Sequence, residues 1–369
     1  TLVSTPDRHL VCFGTETTIG TTSTQDDMYI RWSDQESIDA STSWAPSATN
    51  TAGTQRLADG TRIVGALRGR DAIYIWTDTS LFIMRFVGAP FTFSFQQVGT
   101  NCGLIGKNAA VEVDGSAYWM SENGFFRYTG KLESLACLVE DYVYDDINTV
   151  PRQHIYAGLN NLFGEVTWFY PGSGAASNNR SVTYNYMDST PERPVWTTSS
   201  LARSTWSDSH IFGKPHATEY DSSATSDTTV GNTDGVTIYY EHETGVNQIK
   251  AGAASAISAS IESGDFDISA TQGGADLRGD GDYMMKIRRV LPDFLQQTGD
   301  ARVTLNLKNY PTDSQASSSL GPFTSSTTTD KIDTRARARA ISLKVDNTST
   351  GQHWKLGTFR LDIQADGRR

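Results

Sequence analysis

Few of the side chains in this 369-residue sequence that could do chemistry stand at spacings chemistry requires. Hydrolysis needs a nucleophile or base held by an orienting partner. The six histidines, His9, His154, His210, His216, His242 and His353, are scattered. No zinc-protease motif, P-loop or Gly-x-Ser-x-Gly elbow occurs. His210 and His216 lie in one loop-like stretch, which by itself builds no metal site. Arg278-Gly279-Asp280 reads as a Gly-rich turn, and Asp280-Gly281-Asp282 is too short to define a calcium loop. Cys12, Cys102 and Cys137 are widely separated and form neither metal spacing nor a disulfide framework. They read as buried free thiols of a protein made in a reducing cytosol. The sequence therefore names no catalytic residue, no cofactor and no metal ligand.

Two charged groups remain. Glu140, Asp141, Asp145 and Asp146 form the densest acidic cluster, inside residues 138–148, the best short-helix candidate of the first half. They are candidates for a channel wall or an interface, against the plainer reading of a solvated turn. Arg335, Arg337 and Arg339 alternate with alanines, and a period of two puts all three guanidiniums on one strand face. The same face continues as Ile341, Leu343 and Val345, so the strand is expected to enter a core halfway along. Three roles compete for these arginines: a charged edge that resists unwanted pairing, contact with an acidic neighbouring subunit, or phosphate contact with DNA.

The elements that would position these groups are strands. Within residues 59–130 one pattern occurs twice: strand, turn, Trp-ending strand, turn, strand. The first copy holds residues 63–67, 72–76 and 81–86; the second holds 104–106, 109–113, 116–120 and 125–128. The runs are short and rich in β-branched and aromatic residues, and Asn123-Gly124 is a strong tight-turn signal. Trp32, Trp76, Trp119 and Trp168 follow at intervals of 44, 43 and 49 residues. An all-strand period of that length suggests propeller blades. Ile73, Tyr74, Ile75 and Trp76 put apolar groups on both faces of one strand, as a sheet stacked between two others requires. The competing architecture is a β-sandwich with accidental Trp spacing.

Further strands are expected at residues 9–13, 28–32, 155–159, 165–170, 181–186, 195–198 and 236–241, with polar loops at 14–27 and 219–235. Near residue 250 the rhythm changes. Strands at 261–268, 283–291, 302–307, 336–345 and 354–363 show no Trp period, and 314–329 reads as a Ser/Thr loop or linker. The expected fold is all-β: a β-propeller over 1–250, complete or lacking blades, then a smaller β-sandwich-like unit over 251–369. Net charge is -11; residues 251–369 are near neutral, with 15 Lys+Arg against 14 Asp+Glu, so the first 250 carry the acid. Such a surface does not hold nucleic acid tightly. No apolar run is long enough to span a membrane. The first residues, which lack Met, lead almost directly into a strand, so preceding residues are expected to be missing.

Several runs, none specific alone, matter through their order. They are Ile30-Arg31-Trp32-Ser33-Asp34-Gln35-Glu36, Trp44-Ala45-Pro46, Asn101-Cys102-Gly103-Leu104-Ile105-Gly106 and Ala117-Tyr118-Trp119-Met120. Then come Phe125-Phe126-Arg127-Tyr128-Thr129-Gly130, Tyr144-Asp145-Asp146-Ile147-Asn148, Gly281-Asp282-Tyr283-Met284, Trp354-Lys355-Leu356-Gly357 and Arg360-Leu361-Asp362-Ile363. In this order the chain resembles the tail nozzle, or packaged-DNA stabilisation, proteins of short-tailed bacteriophages. The resemblance implies a non-enzymatic virion protein made in the host bacterial cytoplasm. It implies a homohexameric ring at the distal end of the tail, each subunit built around a β-propeller. The ring would close the channel over packaged double-stranded DNA until ejection, touching an adaptor ring and a fibre or needle. Acidic side chains lining the bore would repel phosphates within a Debye length of about 8 Å, and loops would do the gating. Family members usually carry more chain before this point, so the first blades are expected to be absent or donated by another segment. Two other classes stay open: a propeller glycosidase or glycan-binding protein on the virion, using paired carboxylates, and a monomeric intracellular docking propeller.

Overall fold

Short apolar runs separated by tight polar turns satisfy their backbone groups as antiparallel hairpins, and consecutive hairpins make meanders. The computed structural model describes residues 2–39, 42–208, 211–221, 235–250, 252–268, 283–310 and 318–367. His210, residues 222–234 of the Ser/Thr/Asp loop, and Arg278 to Asp282 lie outside them. The chain divides into two units, Thr1–Glu243 and Thr244–Arg369.

Five meanders follow one another in the first unit. Sheet 1 holds β1 (Leu2–Ser4), β2 (Leu10–Phe13), β3 (Tyr29–Trp32) and β4 (Gly53–Arg56). Sheet 2 holds β5 (Ile63–Arg68), β6 (Ile73–Thr77), β7 (Ser80–Gly88) and β8 (Thr92–Thr100). Sheet 3 holds β9 (Ala110–Val113), β10 (Ser116–Ser121), β11 (Gly124–Tyr128) and β12 (Leu132–Leu135). The single helix longer than one turn among the described residues, α1 (Glu140–Asp146), leads to sheet 4: β13 (Tyr156–Asn160), β14 (Glu165–Tyr170), β15 (Arg180–Asn185) and β16 (Trp196–Ser199). Sheet 5 has three strands among the described residues, β17 (Thr205–Ser207), β18 (His216–Asp221) and β19 (Val236–Glu241). The first strands β1, β5, β9, β13 and β17 neighbour one another in that order. Sequential four-stranded meanders with adjacent first strands are propeller blades.

The sheets are stacked, and β6 shows it: all five of its residues are buried. Ile73 and Ile75 pack with Val11, Ile30 and Trp32 of sheet 1, whereas Tyr74 and Trp76 join the core shared with sheets 3 and 4. The Trp spacing, however, is not a single structural period. Trp32 lies on the third strand of its sheet, whereas Trp76, Trp119 and Trp168 lie on second strands. Across the β6–β7 turn Trp76 pairs with Leu81; across the β10–β11 turn the pair of equal spacing is Met120 with Phe125. Trp76 is thus one residue out of register with Trp119, and a one-residue slip reverses the face. Both indoles consequently fill the same gap between sheets 2 and 3, with centroids 5.4 Å apart.

The second unit adds β20 (Asn247–Lys250), β21 (Ala253–Ala256), β22 (Ala259–Glu262), β23 (Met285–Leu291), β24 (Phe294–Thr298), β25 (Ala301–Lys308), β26 (Ser318–Ser325), β27 (Ile332–Ala338), β28 (Ala340–Asn347), β29 (His353–Leu356) and β30 (Arg360–Ala365). Sheet β22-β28-β25-β26 and sheet β27-β23-β30 enclose a core that includes Met285, Ile287, Val303, Leu305, Ala336 and Ile341. Two hairpins, β20-β21 and β24-β29, complete the unit. This is a small sandwich.

Several expected elements are corrected. Residues 104–106 are not a strand but a connection between sheets 2 and 3. The supposed linker at 314–329 contains β26, whose polar residues pair with β25. The run 336–345 breaks at Arg339 into β27 and β28, because the chain crosses there from one sheet of the sandwich to the other. The run 354–363 likewise splits into β29 and β30.

Candidate functional site

Several of the runs that carry the resemblance hold loops to the first sheet or lie between neighbouring sheets. In sheet 1 the Arg31 guanidinium is buried and donates to the carbonyls of Glu16 (3.1 Å), Thr17 (3.0 Å) and Trp44 (3.1 Å). It ties the polar loop after β2 and the Trp44 segment to β3. Asp34 accepts from the Thr51 N–H (2.8 Å) and hydroxyl (2.7 Å), and these bonds hold its carboxyl below the usual range. Residues 101–106 thread between sheets 2 and 3. The Cys102 and Leu104 amides donate to the carbonyls of Thr79 and Thr77, and the Ile105 amide donates across to Met120. Gly103 passes so close to Asp78 that a β-carbon would collide with its carbonyl, so the joint requires glycine there.

Tryptophan indoles complete the joints. Trp119 donates to the Cys102 carbonyl (2.8 Å), Trp168 to Ala109 (3.0 Å) and Trp206 to Leu159 (2.7 Å), each reaching back towards the preceding sheet. Between sheets 3 and 4, the Tyr144 hydroxyl on α1 donates to the carbonyls of Ser121 (2.7 Å) and Gly124 (3.1 Å). Burial pushes its pKa far up, so the hydroxyl stays a donor.

An axial cavity of about 440 Å³ opens where the first strands of sheets 2 to 5 converge. Sheet 2 contributes Arg68 and the connection to sheet 3 contributes Lys107 and Asn108; Glu112 comes from β9, Tyr156 from β13, and Trp206 and Asp208 from β17 and the residue after it. Gly158 makes room for the Trp206 indole, whose Cγ would stand 2.6 Å from an added β-carbon. The two carboxylates already have backbone donors: Gly115 N–H to Glu112 and Asn161 N–H to Asp208, both at 2.6 Å. Apart from Trp76, no lining residue is singled out by sequence spacing. The cavity gathers side chains some 140 positions apart, from Arg68 to Asp208, and only the stacking of the sheets brings them together.

The acidic quartet divides. Asp141 and Asp145 are exposed on α1, while Glu140 and Asp146 are half-buried at its ends. Asp146 pairs with Arg180 at 3.1 Å. The arginine trio also divides. Arg335 and Arg337 are exposed on the same face of β27, with Ala336 and Ala338 buried behind them. Arg337 pairs with Asp366 at 2.5 Å. Arg339 sits at the crossing between sheets, and its N–H donates to the Lys308 carbonyl (3.1 Å). Core positions are even-numbered before that crossing and odd after it, so Ile341, Leu343 and Val345 turn inward as expected, but on a new strand, β28, and not as a continuation of the arginine face of β27. β27 is an edge strand of its sheet.

Sequence reasoning also missed a buried cation in the last blade. Arg203 is nearly inaccessible; its guanidinium lies 4.0 Å from the Tyr240 ring centroid and 3.3 Å from Glu219. Its Nε donates to His242 Nε2 at 2.9 Å. That bond requires a neutral imidazole, and burial together with the Arg203 charge lowers the His242 pKa to about 4. Tyr240 and His242 belong to an expected strand and its flank, but Glu219 lies in β18, whose last residues overlap the expected loop at 219–235. Of the three thiols, Cys102 is buried and Cys12 and Cys137 are half-buried; all are free, and burial raises Cys137 to about 11. No group of three or more metal-ligating side chains occurs, and no helix is long and apolar enough to cross a membrane, among the described residues.

No family model matches the chain, and no curated protein matches it. Among solved structures, an exo-beta-1,3-galactanase from Phanerochaete chrysosporium with beta-1,3-galactotriose matches over 98% of this chain and 94% of its own, at 8% identity and a TM-score of 0.30. That likeness is too slight to bear on fold or activity.

Proposed function

We propose that this chain is a structural virion protein of a short-tailed bacteriophage. Copies of it form the distal tail nozzle ring, close the DNA channel, retain packaged DNA and pass it during ejection. One observation carries the reading. Three of the runs that resemble that family hold parts of the architecture together: Arg31 and Asp34 within sheet 1, residues 101–106 between sheets 2 and 3, and Tyr144 between sheets 3 and 4.

Retention and passage then need no chemistry. Exposed carboxylates on the bore repel phosphates over the short reach that salt permits, so DNA meets no adhesive surface. On α1 this role belongs to Asp141 and Asp145, because Asp146 is neutralised by Arg180. Native mass spectrometry and negative-stain imaging of the full chain, alone and with its adaptor ring, test the reading. A six-fold ring is expected; a chain that stays monomeric in both conditions overturns it.

The second reading is a virion-borne propeller glycosidase or glycan-binding protein, and the axial cavity favours it by bringing Glu112 and Asp208 to one site. A sugar-release assay separates the two readings, since the ring hydrolyses nothing.

A further inference from the structure

The axial cavity has an imbalance that its role as a joint does not explain. Its acceptors are engaged: Glu112 and Asp208 each accept a backbone N–H at 2.6 Å. Its donors are not. Arg68 and Lys107 have no ion pair or side-chain hydrogen bond among the described residues, and both are exposed. Trp76 also lines the cavity, fully buried, and its Nε1 has no acceptor. Every other buried blade tryptophan has one: Trp32, Trp119 and Trp168 donate to the carbonyls of Thr51, Cys102 and Ala109. The one-residue register slip explains the difference. It turns Trp76 towards sheet 3, away from the backward-facing position in which Trp119 and Trp168 find carbonyls. A buried donor without a partner costs about 1–3 kcal/mol, and a guanidinium and an ammonium without ion-pair partners stand at the same cavity, beside the carboxylates of Glu112 and Asp208.

We propose that the axial cavity is a binding site for a small oxyanion-bearing molecule, a carboxylate or phosphate carried on a group of sugar or nucleoside size. A bidentate guanidinium and a point-charge ammonium suit an oxyanion. The volume is within the range of small-ligand sites and leaves room beyond the anion for a polar ring beside Tyr156, Asn108 and Trp206. Trp76 lines the cavity, so an anion held there lies beside its indole ring. The site lies wholly within the first unit and depends on neither functional reading.

The test is calorimetric titration of the full chain with glucuronic acid, adenosine monophosphate, inorganic phosphate and a neutral control, glucose. Indole N–H resonances of Trp-labelled protein are followed in parallel, with Trp76 assigned through Trp76→Phe. An organic anion is expected to bind, glucose is not, and the Trp76 indole resonance should shift on binding. Arg68→Gln and Lys107→Gln should each weaken binding about tenfold without changing the far-ultraviolet spectrum. Tighter binding of the uronic acid assigns a glycan source, and tighter binding of the nucleotide a nucleotide source. Inorganic phosphate binding as tightly as both would overturn the organic ligand. The site itself is overturned by no anion binding up to about 10 mM, or by binding that both glutamine variants and the Trp76 resonance ignore.

Discussion

At the scale of single residues, burial rather than spacing decides what the polar groups do. His242 stands in an unremarkable Glu-His-Glu run, yet it faces Arg203 in the last blade with Glu219, Tyr240 and Trp206 around it. Its lowered pKa makes a pH dependence with a definite sign. Above 6.5 the folded and unfolded forms are both neutral at this site. Below 6.5 the unfolded chain takes a proton that the folded chain refuses until about 4. Stability therefore falls as pH drops through that window, by at most about 3 kcal/mol from this group. Denaturant unfolding at pH 7 and pH 4.5 should show the loss, and His242→Gln should reduce it; an equal loss in the variant would remove His242 as the cause. Nothing in the sequence marks this residue, because its partners come from the approach to β17 and from β18.

At the scale of elements, α1 was legible and its workings were not. Its expected span of 138–148 contains the observed Glu140–Asp146. Acids in the first turn favour the positive end of a helix, whereas acids in the last turn oppose it. Arg180 offsets the second effect at Asp146. Asp146→Asn should therefore cost about 0.5–1 kcal/mol. The double substitution Asp141→Asn with Asp145→Asn should change stability by no more than about 0.5 kcal/mol. If these two carboxylates line the bore, virions carrying the double variant should eject DNA at an altered rate, and unchanged ejection counts against their role on the wall. The alternating arginines and the core residues after them lie on two strands and not on one for a geometric reason. Period two persists only while the chain stays in one sheet, and the step at Arg339 exchanges sheets and resets the parity.

At the scale of the whole molecule, two cores imply two stabilities. The first unit is held by aromatic edge and tilted contacts between sheets, such as Trp119 with Trp76 and Trp168 with Phe125. The second rests on smaller side chains, among them Val303, Leu305 and Ile341, enclosed by two sheets. Calorimetry of the full chain should resolve two transitions. Leu305→Ala should lower one, by a destabilisation of about 2–5 kcal/mol, and Trp119→Phe should lower the other. A single transition shifted by both would show that the units fold as one.

The sequence alone determined that the chain is all-β, that its first part is built of stacked sheets with apolar groups on both faces, and where most strands lie. Those features follow from local preference and from the alternation of side chains along a strand, which neighbours in sequence decide. Only the tertiary structure decided that Trp32 and Trp76 are out of step with their apparent repeats. It alone gathered Arg68, Lys107, Glu112 and Asp208 around one cavity, and it alone left the Trp76 indole without an acceptor. Register and convergence depend on which strand meets which, and a shift of one residue, barely visible in a spacing of 43 or 44, turns a side chain to the opposite face.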